Sequence, residues 1–181
     1  MPFNADHSAL IDAHLAKEKV PAALARIIRT MKFTGAGPSE ICGLELPDVI
    51  LNAEVPHIWI RANAIRSLKT KSRERSIPLV GAALNAMRAA VEAAKGPGVF
   101  YQVNTFDKTG PSTKLNALLR AAGIPKSKRL SAYSFRHGVK QALVQAGARE
   151  DLARYLMGHT GRTYITETER RRRCCVKLAT R

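Results

Sequence analysis

The sequence is poor in long apolar runs, in cysteine and in acidic charge, and each shortage closes off a class of protein. No apolar stretch approaches the roughly 20 residues that a membrane-spanning helix needs. The opening MPFNADHSAL has no basic-then-apolar layout of a secretory signal. A soluble, cytoplasmic protein without membrane contact is therefore the expectation. The three cysteines, Cys42, Cys174 and Cys175, form no C-x-x-C pair, and adjacent Cys174 and Cys175 are badly placed for a disulfide or a zinc cage. The five histidines show no H-E-x-x-H or comparable spacing, so no metal site and no small-molecule cofactor is expected.

The shortage of acid is the informative one. Thirty Lys and Arg stand against 14 Asp and Glu, a formal charge of +16. The excess is uneven: residues 1–90 carry 12 basic and 8 acidic side chains, residues 91–181 carry 18 and 6. Such a surface favours a polyanion, because each phosphate it neutralises releases counterions. Nucleic acid ranks ahead of an anionic membrane, since no lipidation motif or basic amphipathic anchor is present. A merely solvated basic surface is the bland alternative. An RNA reader of the RRM type is disfavoured, because no K/R-G-F/Y-G/A-F box or aromatic stacking platform occurs. At 181 residues the chain has the size of one domain, and such a length buries roughly 70% of the unfolded surface.

Local patterning predicts mostly helices around a small antiparallel sheet. Two helices open the chain, DHSALIDAHLAKEK and VPAALARIIRTMKF, with Pro21 suited to a first turn and TGAG ending the second. Ser39 is the expected N-cap of a short helix, SEICGLEL, that stops before Pro47. Between Val49 and Leu79 the segments HIWIR and RSIPL flank the basic turn SLKTKSRE, a β-hairpin or small antiparallel sheet. Helices resume with GAALNAMRAAVEAAK. A Gly/Pro loop leads to TKLNALLRAAG, and IPKSKR forms a basic loop. In SAYSFRHGVKQALVQAG, residues Phe135, Val139, Leu143 and Ala146 recur at helical spacing and Gly147 caps the end. REDLARYLMG ends on another glycine, with His159 next. The tail beyond residue 168 is a charge run without a periodic apolar face, expected to be disordered over 169–181.

Arg136 near a helix start, His159 just past a helix end and Lys69 in a hairpin turn suit metal-free phosphoryl transfer. Arginine offers a planar fork for phosphate, histidine moves protons near neutral pH, and lysine can donate to a leaving oxygen. Three segments carrying these residues resemble the motifs of the tyrosine recombinase or phage integrase family, over roughly residues 20–165. FTGAGPSEICGLELPDV is similar to its TG-x-R-x-SE-x-x-x-L box, and SLKTKSRERSIPL to its lysine hairpin and the strand that follows. YSFRHGVKQALVQAG with YLMGHT is similar to its H-x-x-R-H helix and L-x-G-H turn.

The resemblance implies an α+β fold, mainly α with a small antiparallel sheet, for a catalytic domain over residues 1–168. It also implies duplex DNA as partner, with other recombinase protomers on the same DNA, and breaking and rejoining of strands through a phosphotyrosyl intermediate. The family's separate N-terminal helical domain has no counterpart, so the chain reads as a catalytic-domain fragment or a truncated product. By the same resemblance Arg136 and His159 would hold the scissile phosphate and Lys69 would be the general acid. Lys71 and Arg73 of the hairpin, with Lys126 and Lys128 of the basic loop, would add DNA contacts.

Three positions depart from the family pattern. Gly37 stands where the first arginine belongs, either serving the TGAGP turn or simply forfeiting a charge. Tyr133 replaces the first histidine of H-x-x-R-H and is either packed or in touch with phosphate. Near the expected nucleophile the chain reads TETERRRR, and the one tyrosine beyond His159 is Tyr164, which lies early. Two readings follow: an impaired strand transferase using Tyr164 or a tyrosine from another chain, or a degenerate module that holds DNA without cutting it. Glu40 is expected to support the first motif structurally, and His137 to be structural rather than catalytic.

Overall fold

The computed structural model describes residues 1–64, 66–67, 74–100, 110–127 and 129–159. Within them the chain is mainly helical with a small antiparallel sheet, the fold class the patterning predicts. The order is α1 (Ala5–Leu15), α2 (Ala22–Thr34), α3 (Pro38–Cys42), a 3₁₀ turn (Leu46–Asp48), β1 (Val49–Ile50), β2 (His57–Ile60), β3 (Arg75–Pro78), α4 (Gly81–Glu92), α5 (Gly110–Ala121), α6 (Ser134–Gln145) and α7 (Glu150–Leu156). None of the helices among the described residues is long and apolar enough to cross a membrane.

Helix α2 is the central strut. Ala25, Ile27, Ile28 and Met31 are buried at helical spacing, which lets α2 pack against α4 on one flank and α6 on another. It ends where Gly35 takes a left-handed φ of 66°. A side chain there would be strained by the backbone and crowded as well: a Cβ would stand 3.0 Å from Val139 Cβ and 3.1 Å from Met157 Cε. Gly35 thus lets the α2 terminus lie directly on α6 and on the end of α7.

The sheet order is β1-β2-β3, with Ile58 opposite Ile77 and Ile60 opposite Arg75. Burial does not alternate along β3, where all four residues are buried. Helix α7 covers its outer edge: the Ser76 N–H donates to the Tyr155 hydroxyl at 2.9 Å, and Arg75 Nε donates to the Leu156 carbonyl at 2.8 Å. The outward Ser76 N–H of this edge strand is thereby satisfied, and the strand is hidden from further pairing.

Several local expectations need correction. Helix α1 stops at Leu15, before AKEK: the Lys17 N–H turns back to the His14 carbonyl in a tighter turn, and Pro21 disfavours helical geometry at Val20 so the helix does not resume there. Helix α5 starts at Gly110, earlier than expected. Ser39 does not cap α3. The N-cap is Gly37, Pro38 occupies the first helical position, and Glu40 folds back to accept the Gly37 N–H at 2.7 Å. The proline's fixed φ moves the N-cap two residues upstream, from Ser39 to Gly37. Gly147 and Gly158 follow α6 and α7 with φ of 65° and 62°.

Candidate functional site

One carboxylate gathers the first motif, the strand after the hairpin, the Arg136 helix and the turn before His159. Glu40 is third in α3, so its side chain points back toward the helix start. Arg75, the first residue of β3, grips it with both ends of its fork: Nη1 to Oε1 and Nη2 to Oε2, each at 2.9 Å. Such bidentate, charge-assisted pairs are the strongest that side chains form. Arg136 Nη1 donates to the same Oε2 at a longer 3.4 Å and to the Gly35 carbonyl at 3.2 Å, while Nη2 donates to the Met157 carbonyl. A third arginine, Arg66, donates Nη1 to the Glu40 backbone carbonyl at 2.7 Å and Nε to the Arg61 carbonyl at 3.0 Å.

Burial alone would raise the Glu40 pKa, but hydrogen bonding and charge from Arg75, the Gly37 N–H and the Arg136 charge outweigh it. The net shift is downward, and Glu40 is held as an anion. The geometry needs two small residues. A Cβ on Gly158 would lie 2.9 Å from Arg75 Nη1, and one on Gly43 would lie 3.0 Å from Arg66 Cβ. Arg75 is therefore sealed between Glu40 and the α7 terminus, with 1% of its side chain exposed, against 13% for Arg136.

Position 37 behaves differently from the turn reading. Gly37 is extended, with φ of −75°, so no glycine-specific conformation is required there; the left-handed residue of TGAG is Gly35. A Cβ at 37 would meet only ordinary contacts, 3.6 Å to Glu40 Oε2 and 3.9 Å to Tyr133 Cε2. Tyr133 precedes α6, is half exposed, packs edge-on against His137 and lies 5.7 Å below the Arg136 guanidinium. Burial, together with the N-terminal, Arg136 and Lys140 charges, lowers the His137 pKa, so that ring is neutral at pH 7.

The structure thus brings Arg136, Tyr133, Gly37 and the turn leading to His159 together. His159 is exposed, its N–H donating to the Arg154 carbonyl at 2.9 Å. Lys126 is exposed in the loop after α5. Lys69, Lys71, Arg73, Lys128 and Tyr164 lie outside the described residues, as does the 169–181 tail. Cys42 is buried, which pushes its thiol up to about 12, and it has no nucleophilic character at neutral pH. Among the described residues no group of three or more His, Cys, Asp or Glu could hold a metal ion.

Arg75 and Arg66 were not singled out by sequence reasoning. One signal was present: in a strand, Arg75 shares a face with Ile77, so an inward Ile77 demands a buried arginine and hence a buried acid.

An α-helical domain built on a small three-stranded sheet, with an arginine cluster joining an α2–α3 turn to the ends of two later helices, is the class of protein this site defines. Residues 5–168 match the phage integrase family, and the chain belongs to that family. No curated protein sequence matches it. Among solved structures it is similar to the Tn1549 transposon integrase in complex with circular intermediate DNA, at 18% identity and a TM-score of 0.68, covering 96% of this chain and 62% of that one. It is also similar to XerA recombinase, at 15% identity and a TM-score of 0.68, covering 96% and 58%. A third is XerH site-specific recombinase bound to palindromic difH substrate in a post-cleavage complex, at 17% and 0.67, covering 95% and 48%. The chain spans about three-fifths or less of the length of these proteins, and identities this low speak to the fold.

Proposed function

We propose that this chain binds duplex DNA across the face where Arg136 meets the turn bearing His159, as the catalytic domain of a site-specific recombinase or integrase whose strand transfer is impaired at position 37. The observation that carries this reading is the Arg136 guanidinium. It donates to the Gly35 carbonyl two residues before Gly37 and to the Met157 carbonyl two residues before His159, so one side chain joins the TGAG segment to both parts of the YSFRHG and YLMGHT motif.

In the proposed reaction a tyrosine hydroxyl gives up its proton to solvent and its oxygen attacks phosphorus, the bond from phosphorus to the 5′ oxygen breaks, and a 3′-phosphotyrosyl ester forms. The departing 5′ oxygen takes a proton, the role assigned to Lys69. Arg136 and His159 hold the non-bridging oxygens, with Tyr133 at the rim. The hydroxyl comes from Tyr164 or from another protomer on the same DNA. Lys71, Arg73, Lys126 and Lys128 would neutralise flanking phosphates. Residues 1–168 act as the catalytic unit and 169–181 as a basic tail, in a cytoplasmic protein that needs neither metal nor membrane.

Gly37 favours a second reading, a module that holds DNA without cutting it. Its extended φ shows no conformational need for glycine, so the missing arginine is a loss of charge without a backbone gain. An arginine that stabilises a phosphoryl group in flight is worth about 10³ to 10⁵ in rate.

Fluorescence anisotropy over a salt series tests the DNA reading. If about five phosphates are neutralised, log K falls against log salt with a slope near −4 to −5, and a slope near zero sinks it. Covalent trapping on a nicked suicide duplex separates the two activities. Slow or absent adduct is expected, and ready adduct formation by the parent chain rejects the impairment.

A further inference from the structure

Glu40 divides itself unequally between two arginines. Arg75 occupies both carboxylate oxygens at 2.9 Å, whereas Arg136 touches one of them, at 3.4 Å. When two forks compete for one carboxylate, the bidentate partner takes most of its charge, and the other cation keeps more of its own field. By formal charge the trio of Arg75, Arg136 and Glu40 is +1; without Arg75 it would be zero.

We propose that Arg75 is a positioning residue that takes up most of the Glu40 charge so that Glu40 only partly neutralises Arg136, leaving Arg136 directed at a DNA phosphate. The proposal rests on the reading of Arg136 as the phosphate-binding arginine. Arg75 itself cannot reach DNA: its side chain is 1% exposed, its Nε is committed to the Leu156 carbonyl, and the Gly158 backbone lies over its guanidinium. It acts through Glu40. Remove the Arg75 charge, and Glu40 retains the Gly37 N–H and Arg136 as donors to Oε2. Arg136 then closes from 3.4 Å onto the carboxylate, and an incoming phosphate meets an arginine more fully neutralised by that anion.

The test uses the full chain, a fluorescent duplex and three variants: Arg75→Met, Arg75→Met with Glu40→Gln, and Arg75→Lys. Arg75→Met is expected to lose about one unit of salt slope, the signature of one lost phosphate contact, and about tenfold in affinity, although the residue never meets DNA. Adding Glu40→Gln removes the competitor and restores both to near the parent values. A buried arginine that only holds the fold together would leave the slope unchanged, and its loss would not be rescued by a second substitution in the same cluster; either result overturns the proposal.

A second measurement needs no DNA. The side-chain Nε–H resonance of Arg136 should move in Arg75→Met and return in the double variant, and an unmoved resonance overturns the proposal. Should the parent fail to bind DNA while the resonance moves as expected, the DNA reading falls and the competition for Glu40 stands. If Arg75→Met does not fold, Arg75→Lys decides, because a single ammonium cannot fill both oxygens. A shift of Arg136 in the same direction with a smaller slope loss supports the proposal, and parent-like values for both reject it.

Discussion

Two basic regions of this molecule have opposite construction. Around Glu40, three arginines are fixed by named acceptors, within hydrogen-bonding distance of a carboxylate or a carbonyl. Beneath the turn between α1 and α2, an open groove of about 550 Å³ has Lys17, Lys19 and Lys114 on an apolar floor that includes Leu24 and Leu118. All three lysines are exposed. The arginine cluster has its geometry settled before any ligand arrives, so on the proposed reading Arg136 would meet a single phosphate at a fixed position. Lys17 and Lys19, on flexible stems in water, supply charge without fixed direction. The contrast separates two jobs a +16 protein can do: general attraction of a polyanion, and placement of one anionic group.

Substitution at Glu40 should break the contrast most. Glu40→Gln leaves Arg75 buried beside a neutral amide, and losing one partner of a buried pair costs about 3–5 kcal/mol. Thermal or urea unfolding should show it directly; a loss below about 1 kcal/mol would mean the cluster is no more organised than the lysine groove. The same carboxylate sets an acid limit. Its folded-state pKa lies below its unfolded value near 4.5, so its stabilisation is fully present above that value and drains away as pH falls through the lower folded pKa. The parent should lose stability on acidification below about pH 4.5, and Glu40→Gln should show a flatter profile there.

Gly158→Ala is next in size. The new Cβ would meet Arg75 at 2.9 Å on a backbone with φ of 62°. Roughly 2 kcal/mol of destabilisation is expected, combining left-handed strain with displacement of the guanidinium. By contrast Gly147→Ala, at φ of 65° but with open space around the Cβ, should lose only the backbone part, about 1 kcal/mol. Equal losses at the two glycines would show that Arg75 packing against Gly158 adds nothing.

Gly37→Arg should leave stability nearly unchanged, since φ is −75° and the Cβ has room. It should tighten duplex DNA binding by about 1 kcal/mol, roughly fivefold, by restoring a cation beside Arg136. Covalent trapping of Gly37→Arg with and without Tyr164→Phe would then name the nucleophile: an adduct that Tyr164→Phe abolishes assigns it to Tyr164. The smallest effects belong to the groove. Lys17→Gln, Lys19→Gln and Lys114→Gln should each change stability by less than about 0.5 kcal/mol, as surface substitutions do. A larger loss at any of them would show the groove to be as fixed as the cluster.

The sequence by itself determined the order of the elements, the position of Arg136 near a helix start, the glycine stop before His159 and the family motifs. All of these are local: helical periodicity, glycine caps and short spacings are written within a dozen residues. Even there it misplaced the start of α3, because the cap signal at Ser39 was overridden by Pro38 and by a glutamate side chain folding back one turn. What only the tertiary structure decided is the partnership of Glu40. Arg75 lies 35 residues from it in sequence, Arg136 lies 96 residues away, and Arg75 reaches across 81 residues to Leu156. A sequence shows a surplus of cations without saying which of them meets the few acids. That choice follows from how α3, β3, α6 and α7 pack, because burying Arg75 requires a carboxylate within reach, and the packing of these elements leaves Glu40 to supply it.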